Sequence, residues 1–323
     1  MYLLTGAAGF IGSALVAHLN EQGVTDLILV DDFTNYPAKA PNLAGKQFLR
    51  KVEREELFAT WDKEQWPLKG VYHLGARTDT TEPDAELFDR LNRNYTREVW
   101  QRCTQWQIPL IYASSGATYG LGEHGYVDDD ALAEILVPLN EYGRSKNDFD
   151  KWVLTQTETP PHYYGLKFFN VYGPNENHKG RMASVIWHTF QQVQKTGKMK
   201  LFRSHRSDYD NGHQRRDFIY VKDLVGVNHW LMDNLPAPSG LYNLGTGQSR
   251  TFLDLATATF VAMGHNPDIS FVDTPADIRD KYQYFTEADM TKLRNAGYDR
   301  PFASLEDGIS DYVSNYLLPE KRW

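Results

Sequence analysis

The sequence predicts an α/β fold, a parallel doubly wound sheet with a smaller second lobe, on three observations. A glycine-rich turn near residue 6 joins a short apolar run to an amphipathic one. Short apolar runs and helical patterns then alternate through the first half of the chain. The 323 residues also exceed what one compact core readily holds. Hydrophobic residues make up 41% and charged residues 24%, the balance of a globular chain rather than a disordered one.

The first element is Tyr2–Thr5, which reads as a short buried strand. Gly6-Ala7-Ala8-Gly9-Phe10-Ile11-Gly12 follows, and Ile11, Leu15, Val16 and Leu19 then fall on one face at helical spacing, with Gly23 as the stop. Leu27–Val30 is a second buried strand ending at Asp31 and Asp32. Glycine at a strand-to-helix turn lets the backbone approach a pyrophosphate, and the free N–H groups and dipole of the helix start favour its charge. Asp31, 19 residues after Gly12, is placed to accept hydrogen bonds from an adenosine ribose. The glycines alone would also suit a plain tight turn. The flanking strand and helix and the acid at the second strand's end select a dinucleotide site instead.

Val71–Leu74 reads as the next strand, with a small-residue exit at Gly75 and Ala76. The segment from Asn92 to Thr96 precedes an amphipathic helix, and Pro109–Ala113 forms a fourth strand followed by the polar run Ser114–Gly120. Ligands of such sheets bind at the carboxyl ends of the strands, where these clusters fall. Tyr142 and Lys146 are four apart, so on a helix they share a face. An ammonium beside a tyrosine favours its phenolate. Ser115 is placed to hydrogen-bond a substrate oxygen.

Other classes are disfavoured. The net charge of −8 lacks the basic footprint of a nucleic-acid binder, and Arg50-Lys51 and Arg215-Arg216 are too short to supply one. No apolar run approaches the length of a membrane span. Cys103 is the single cysteine, and Tyr2–Thr5 runs into Gly6 without the basic start and long apolar core of a secretory leader. A cytoplasmic protein is the expectation. The ten histidines include no His-x-His and no His-Glu-x-x-His, so no metal site is expected.

The Gly-x-x-Gly-x-x-Gly spacing with Ser115, Tyr142 and Lys146 resembles the extended short-chain dehydrogenases/reductases that act on nucleotide sugars. Phe168–Pro174 looks like the strand end leading to their substrate lobe. His178–Val185, Ala113–Ser115, Arg216–Val221, Tyr242–Gly247 and Tyr282–Thr286 are similar to one family within them, the ADP-L-glycero-D-manno-heptose 6-epimerases. The similarity runs from Leu3 to about Phe302. The resemblance implies a Rossmann fold and a cytoplasmic, homo-oligomeric enzyme, pentamers included. It implies epimerisation at C6 of ADP-D-glycero-D-manno-heptose through transient oxidation by a bound nicotinamide cofactor, in lipopolysaccharide precursor synthesis. Tyr142 would exchange protons with the substrate, helped by Ser115. Lys146 would hold the nicotinamide ribose, and Lys179 would act as second acid/base. Cofactor contacts implied are Gly6, Gly9, Phe10, Ile11, Gly12, Asp31, Asp32, Lys39, Arg54, Leu74, Gly75, Ala76, Arg77, Thr78, Asn92, Lys146, Val171 and Lys179. Substrate contacts implied are Ser115, Asn170, Arg181, His188, Phe202, Arg203, Ser204, His205, Arg216 and Tyr282.

Two departures from the family pattern bear on these contacts. Ser204–Gln214 is longer than the shortest family members have there, and Arg181 stands where a serine is common. Asp31 suits a free ribose hydroxyl, whereas Lys39 and Arg54 match basic positions that face the phosphate of NADP; the balance favours NADP, with NAD open. A 4,6-dehydratase would need an acidic pair after the serine, where Gly116 and Ala117 stand. A UDP-hexose 4-epimerase, lacking the His178-Lys179 run, and an inactive cofactor-sensing protein are the alternatives. The expected division assigns 1–171 and about 216–245 to the cofactor domain, and about 172–215 and 246–323 to the substrate lobe.

Overall fold

The computed structural model describes residues 1–235, 237–279 and 282–323. The first half of the chain runs β1 (Tyr2–Thr5), α1 (Phe10–Glu21), β2 (Leu27–Asp31), β3 (Arg50–Glu53), α2 (Leu57–Glu64), β4 (Gly70–His73), α3 (Ala85–Phe88), α4 (Tyr95–Gln105), β5 (Leu110–Ser115), α5 (Glu141–Leu154) and β6 (Tyr163–Phe168). Then come β7 (Asn170–Tyr172), α6 (Val185–Thr196), β8 (Met199–Phe202), β9 (Arg215–Tyr220), α7 (Val221–Asn234) and β10 (Gly240–Leu244). The last elements are β11 (Ser249–Thr251), α8 (Phe252–Ala262), β12 (Ile269–Val272), α9 (Ala276–Arg279), α10 (Thr291–Asn295) and α11 (Leu305–Tyr312).

Seven strands form one parallel sheet in the order β10-β6-β5-β4-β1-β2-β3. Its central strands are largely apolar because both faces are covered: Leu27, Ile28, Leu29 and Val30 are all essentially inaccessible, whereas the edge strand β3 buries only Val52. Alternation sends neighbours to opposite layers. Leu4, Leu29 and Tyr72 pack with Leu15 and Leu19 of α1 and Leu224 and Leu231 of α7. Leu3, Ile28 and Val71 pack with Trp61 and Trp100 on the other face. The chain turns outward in opposite directions from β1, so the carboxyl ends of β1 and β4 border a topological switch point.

A smaller layer lies beyond these strand ends. β7 pairs in parallel with β9, and β11 pairs antiparallel with β9. β8 and β12 form a separate pair over a core of Val193, Met199, Leu201, Ala256 and Phe260. The buried Asp217 of β9 ties this layer to the large sheet. Its carboxylate accepts from Thr246 N, Thr246 Oγ1, Gly247 N and Ala288 N at 2.7–3.0 Å. The Tyr242–Gly247 run therefore has a structural role, carrying β10 into a turn whose N–H groups embrace Asp217.

Candidate active site

The glycine turn is built by contacts that exclude side chains. Gly6 has φ of +68°, and a Cβ on it would sit 2.7 Å from the Gly75 backbone. A Cβ on Gly12 would sit 2.0 Å from the Gly6 carbonyl oxygen. Gly9 N donates to Gly6 O, and Gly9 begins α1 with no side chain capping the helix start. The N–H groups at Phe10 and Ile11 are thus left for an anion. These features fit the pyrophosphate of a nicotinamide dinucleotide.

The end of this cradle at β2 is crowded with charge. Asp31 Oδ2 accepts from Ala8 N at 2.9 Å, and Oδ1 accepts from Lys39 Nζ at 2.9 Å. Arg54 pairs with Asp32 at 3.0 Å. On the other side of β1, Leu74, Gly75, Ala76, Arg77 and Thr78 form the exit of β4. Gly75 N donates to Thr5 Oγ1, and Arg77 exchanges two hydrogen bonds with the side chain of Asn92. Asn92 also donates to Ser145 Oγ on α5, which links the cofactor side to the helix of Tyr142 and Lys146.

Helix α5 starts where Asn140 caps it, its side chain accepting from Gly143 N at 2.8 Å. Tyr142 and Lys146 then project from one face toward the end of β5. Lys146 Nζ donates to Ala113 O at 2.7 Å, two residues before Ser115. Burial lowers the Lys146 pKa to about 8, with Asp150 acting in the opposite sense. Burial raises the pKa of Tyr142, the Ser115 side chain pulls it down, and Asp150 pushes it up. In the protein alone Tyr142 is therefore a phenol, a proton donor held beside Ser115.

A cavity of about 690 Å³ opens at this point. Ser115, Tyr142, Asn170, Arg216 and Tyr282 line it together. Arg216 is 6% exposed, yet it makes no ion pair among the described residues. Its guanidinium donates to the carbonyls of Arg215 and Gln283 and lies 5.4 Å from the Tyr282 ring centroid. A buried cation with only carbonyl partners is a ready site for an anionic group.

The other residues singled out from the sequence stand elsewhere. Lys179 is half-buried outside the cavity, with Nζ 5.2 Å from the Phe10 ring centroid and no hydrogen bond or ion pair among the described residues. Burial lowers its pKa, and Glu176 opposes this. Its loop is held to the cofactor turn by Asn42, whose side chain meets Ala8 O, Asn175 O and His178 Nδ1 at 3.0–3.1 Å. Val171 lies on β7. Arg181 is exposed, 3.7 Å from Asp79, and His188 Nε2 lies 3.3 Å from Arg181 O. Arg203 pairs with Asp273, and Phe202 and His205 meet Tyr282 edge-on from behind. Ser204 Oγ donates to Arg206 O, and His205 N donates to Tyr284 OH. The longer Ser204–Gln214 segment thus buttresses Tyr282 through an aromatic group that includes Tyr209 and Tyr284.

Sequence reasoning missed Gln283, whose carbonyl holds Arg216, and the pocket wall at Thr80–Pro83. Gln283 stands beside Tyr282 in the Tyr282–Thr286 motif; the Thr80–Pro83 wall carries no local signal. It also missed His73, Asp150 and Lys167, which are buried beneath the site. Among the described residues no group of three or more His, Cys, Asp or Glu side chains is placed to hold a metal, and no helix is long and apolar enough to cross a membrane.

Comparison with known proteins agrees with this geometry. The NAD dependent epimerase/dehydratase family matches residues 2–245. The chain belongs to this family. It is similar to a protein of Fusobacterium nucleatum named ADP-L-glycero-D-manno-heptose-6-epimerase, at 43% identity over 99% of each chain. A protein of the same name from Nitratidesulfovibrio vulgaris is 46% identical over 98% of each chain. Among solved structures, the Helicobacter pylori ADP-L-glycero-D-manno-heptose-6-epimerase superposes with a TM-score of 0.79 at 26% identity, over 97% of this chain and 95% of that one. The Thermotoga maritima UDP-glucose 4-epimerase, at 24% identity and a TM-score of 0.80 over 99% of each chain, shares the fold. In this chain the family's fold places Ser115 at the end of β5 and Tyr142 and Lys146 on α5, beside a glycine turn at the switch point of the sheet.

Proposed function

We propose that this epimerase inverts C6 of the heptose in ADP-D-glycero-D-manno-heptose to give the L-glycero epimer, using bound NADP as a hydride store. The substrate is the one named in the full-length relatives described above. The observation that carries the reading is the cavity itself, where a buried Arg216, without an ion pair among the described residues, faces the same space as Ser115 and Tyr142.

The chemistry explains the parts. The C6 hydrogen has no neighbouring carbonyl, so direct deprotonation is prohibitive. The nicotinamide, when bound, supplies reversible hydride acceptance. The ionised form of Tyr142 would take the proton of the C6 hydroxyl as the ketone forms, and the phenol so made can return one. Lys146 holds positive charge next to Tyr142 and favours its phenolate. Ser115 hydrogen-bonds the same oxygen. Arg216 grips the diphosphate, so the sugar can turn while the nucleotide stays bound. After that turn the C6 oxygen points away from Tyr142, and a second proton carrier is needed. Lys179 suits this role because it is half-buried, unpaired among the described residues and depressed in pKa. In that role Lys179 would have to leave the Phe10 ring for the substrate.

Lys39 and Arg54 at the end of β2 and beside β3 support NADP over NAD, since each can leave its aspartate for a 2′-phosphate. Incubating the cofactor-loaded protein with ADP-D-glycero-D-manno-heptose and following the product by NMR tests the reaction. Absence of the L-glycero epimer with cofactor bound overturns it. Equal affinity for NAD and NADP overturns the cofactor preference alone.

A further inference from the structure

A second charged pair lies under the Tyr142–Lys146 face. Asp150 is one turn beyond Lys146 on α5, and its side chain is 0% exposed; that of Lys167 on β6 is 2% exposed. Asp150 Oδ2 accepts from Lys167 Nζ at 2.8 Å and from Ser114 Oγ at 2.6 Å, and Oδ1 accepts from Tyr112 OH at 3.1 Å. Lys167 Nζ also donates to Thr118 Oγ1 at 2.8 Å. Stability alone is a weak reason for such a pair, because burying two charges costs about as much as their attraction returns.

Its position offers a better reason. Ser114 adjoins Ser115, and Thr118 Oγ1 donates to the Ser115 carbonyl at 2.9 Å. Ser114 and Thr118 thus tie the pair to Ser115, and Ala113 on the same strand holds the Lys146 ammonium. We propose that Asp150, held by Lys167, is a positioning residue for proton transfer, locking the Tyr142–Lys146 face of α5 against the Ser115 end of β5. This rests on the function proposed above.

The same carboxylate sets the local field. Lys146 is faced by His73 from β4, and Asp150 by Tyr112 and Ser114 from β5, Tyr119 from the following turn, and Lys167 from β6, whose ammonium also meets Thr118. Tyr142 and Lys146 share its helix. Asp150 is the one anion in this group. Burial discharges Lys146 and Asp150 opposes it, so losing the carboxylate lets the ammonium discharge at lower pH.

The test is the double variant Asp150→Asn/Lys167→Met, which removes both charges and leaves neither alone. The expected result is a KM for the nucleotide sugar within about twofold of wild type. Turnover should fall about ten- to a hundredfold, as for a small misplacement of reacting groups. The alkaline limb of the pH–rate profile should move to lower pH. A folded double variant with wild-type turnover and pH profile overturns the proposal. If that variant does not fold, Asp150→Glu keeps the charge on a longer arm: a fall in turnover with an unmoved alkaline limb supports the positioning role, and unchanged turnover overturns it. Tyr142→Phe separates the two readings. If it is fully active, the proposed function fails; if it is inactive while the double variant behaves as wild type, only the positioning role fails.

Discussion

His73 is the group through which acid should reach the cofactor turn. It is fully buried at the end of β4, and its ring bridges β1 and α4. The hydrogen bonds around it form an ordered chain. Gly75 N donates to Thr5 Oγ1, and the Thr5 hydroxyl donates to His73 Nδ1 at 2.7 Å. His73 Nε2 donates to Thr96 Oγ1 at 3.0 Å, and Thr96 donates to Asn92 O. This tautomer, assigned from the network, is satisfied only by a neutral ring. A proton on Nδ1 would turn the Thr5 hydroxyl away from its acceptor. Burial and the nearby Lys146 lower the His73 pKa from 6.5 to about 3. The unfolded chain therefore binds this proton more readily than the folded one, and stability falls as pH drops from about 6.5 towards 3. At about 1.4 kcal/mol per pH unit the full interval corresponds to about 5 kcal/mol, and the drop to pH 5 to about 2 kcal/mol. Urea unfolding followed by tryptophan fluorescence at pH 7 and pH 5 measures this. Wild type should lose about 2 kcal/mol more than His73→Gln, because the carboxylates common to both cancel in the difference. Equal losses in the two proteins would refute the reasoning.

Tyr142→Phe should lower turnover by about 10²–10⁴-fold with cofactor affinity retained; near-normal turnover removes Tyr142 from the chemistry. Lys179→Met should slow epimerisation by about 10²-fold or more while the cofactor stays bound, and an unchanged rate returns Lys179 to a loop lysine packed on Phe10. For Arg216→Ala the loss should appear in substrate affinity, about 2–5 kcal/mol if a diphosphate is its partner; calorimetry with ADP-sugar showing wild-type affinity would exclude that contact. Gly12→Ala places a Cβ 2.0 Å from the Gly6 carbonyl oxygen, which forces α1 away from the turn. Overpacking of this kind costs about 1–3 kcal/mol of stability. Dinucleotide affinity should fall with it, and full retention would mean the turn does not hold the pyrophosphate.

The first βαβ unit was legible because its decisive contacts are local. Gly9 N meets Gly6 O, and Asp31 meets Ala8 across 23 residues of one supersecondary unit. The shared face of Tyr142 and Lys146 followed from helical spacing, and the parallel sheet from alternating apolar runs. The resemblance drawn from the Arg216 and Tyr282 motifs placed both in one site, where the cavity brings them together. It also pointed to Lys179, His188 and the Phe202–His205 segment as contacts, and the structure holds these outside the cavity. Nothing in the sequence reported that the longer Ser204–Gln214 segment folds behind Tyr282, because that position depends on aromatic packing across about 80 residues.

By itself, then, the sequence determined which elements form, where the glycine turn lies, and which side chains are candidates for the chemistry. Those depend on periodicity and on residues close in the chain. The tertiary structure decided the charge states. Lys146, Lys179 and Arg216 are depressed and His73 is neutral because each is removed from water by segments distant in sequence. The Asp150–Lys167 pair shows the same division. Seventeen residues apart and without motif, the two become partners only when α5 is laid across β5 and β6, because desolvation makes a charge seek its counterion wherever the fold places one.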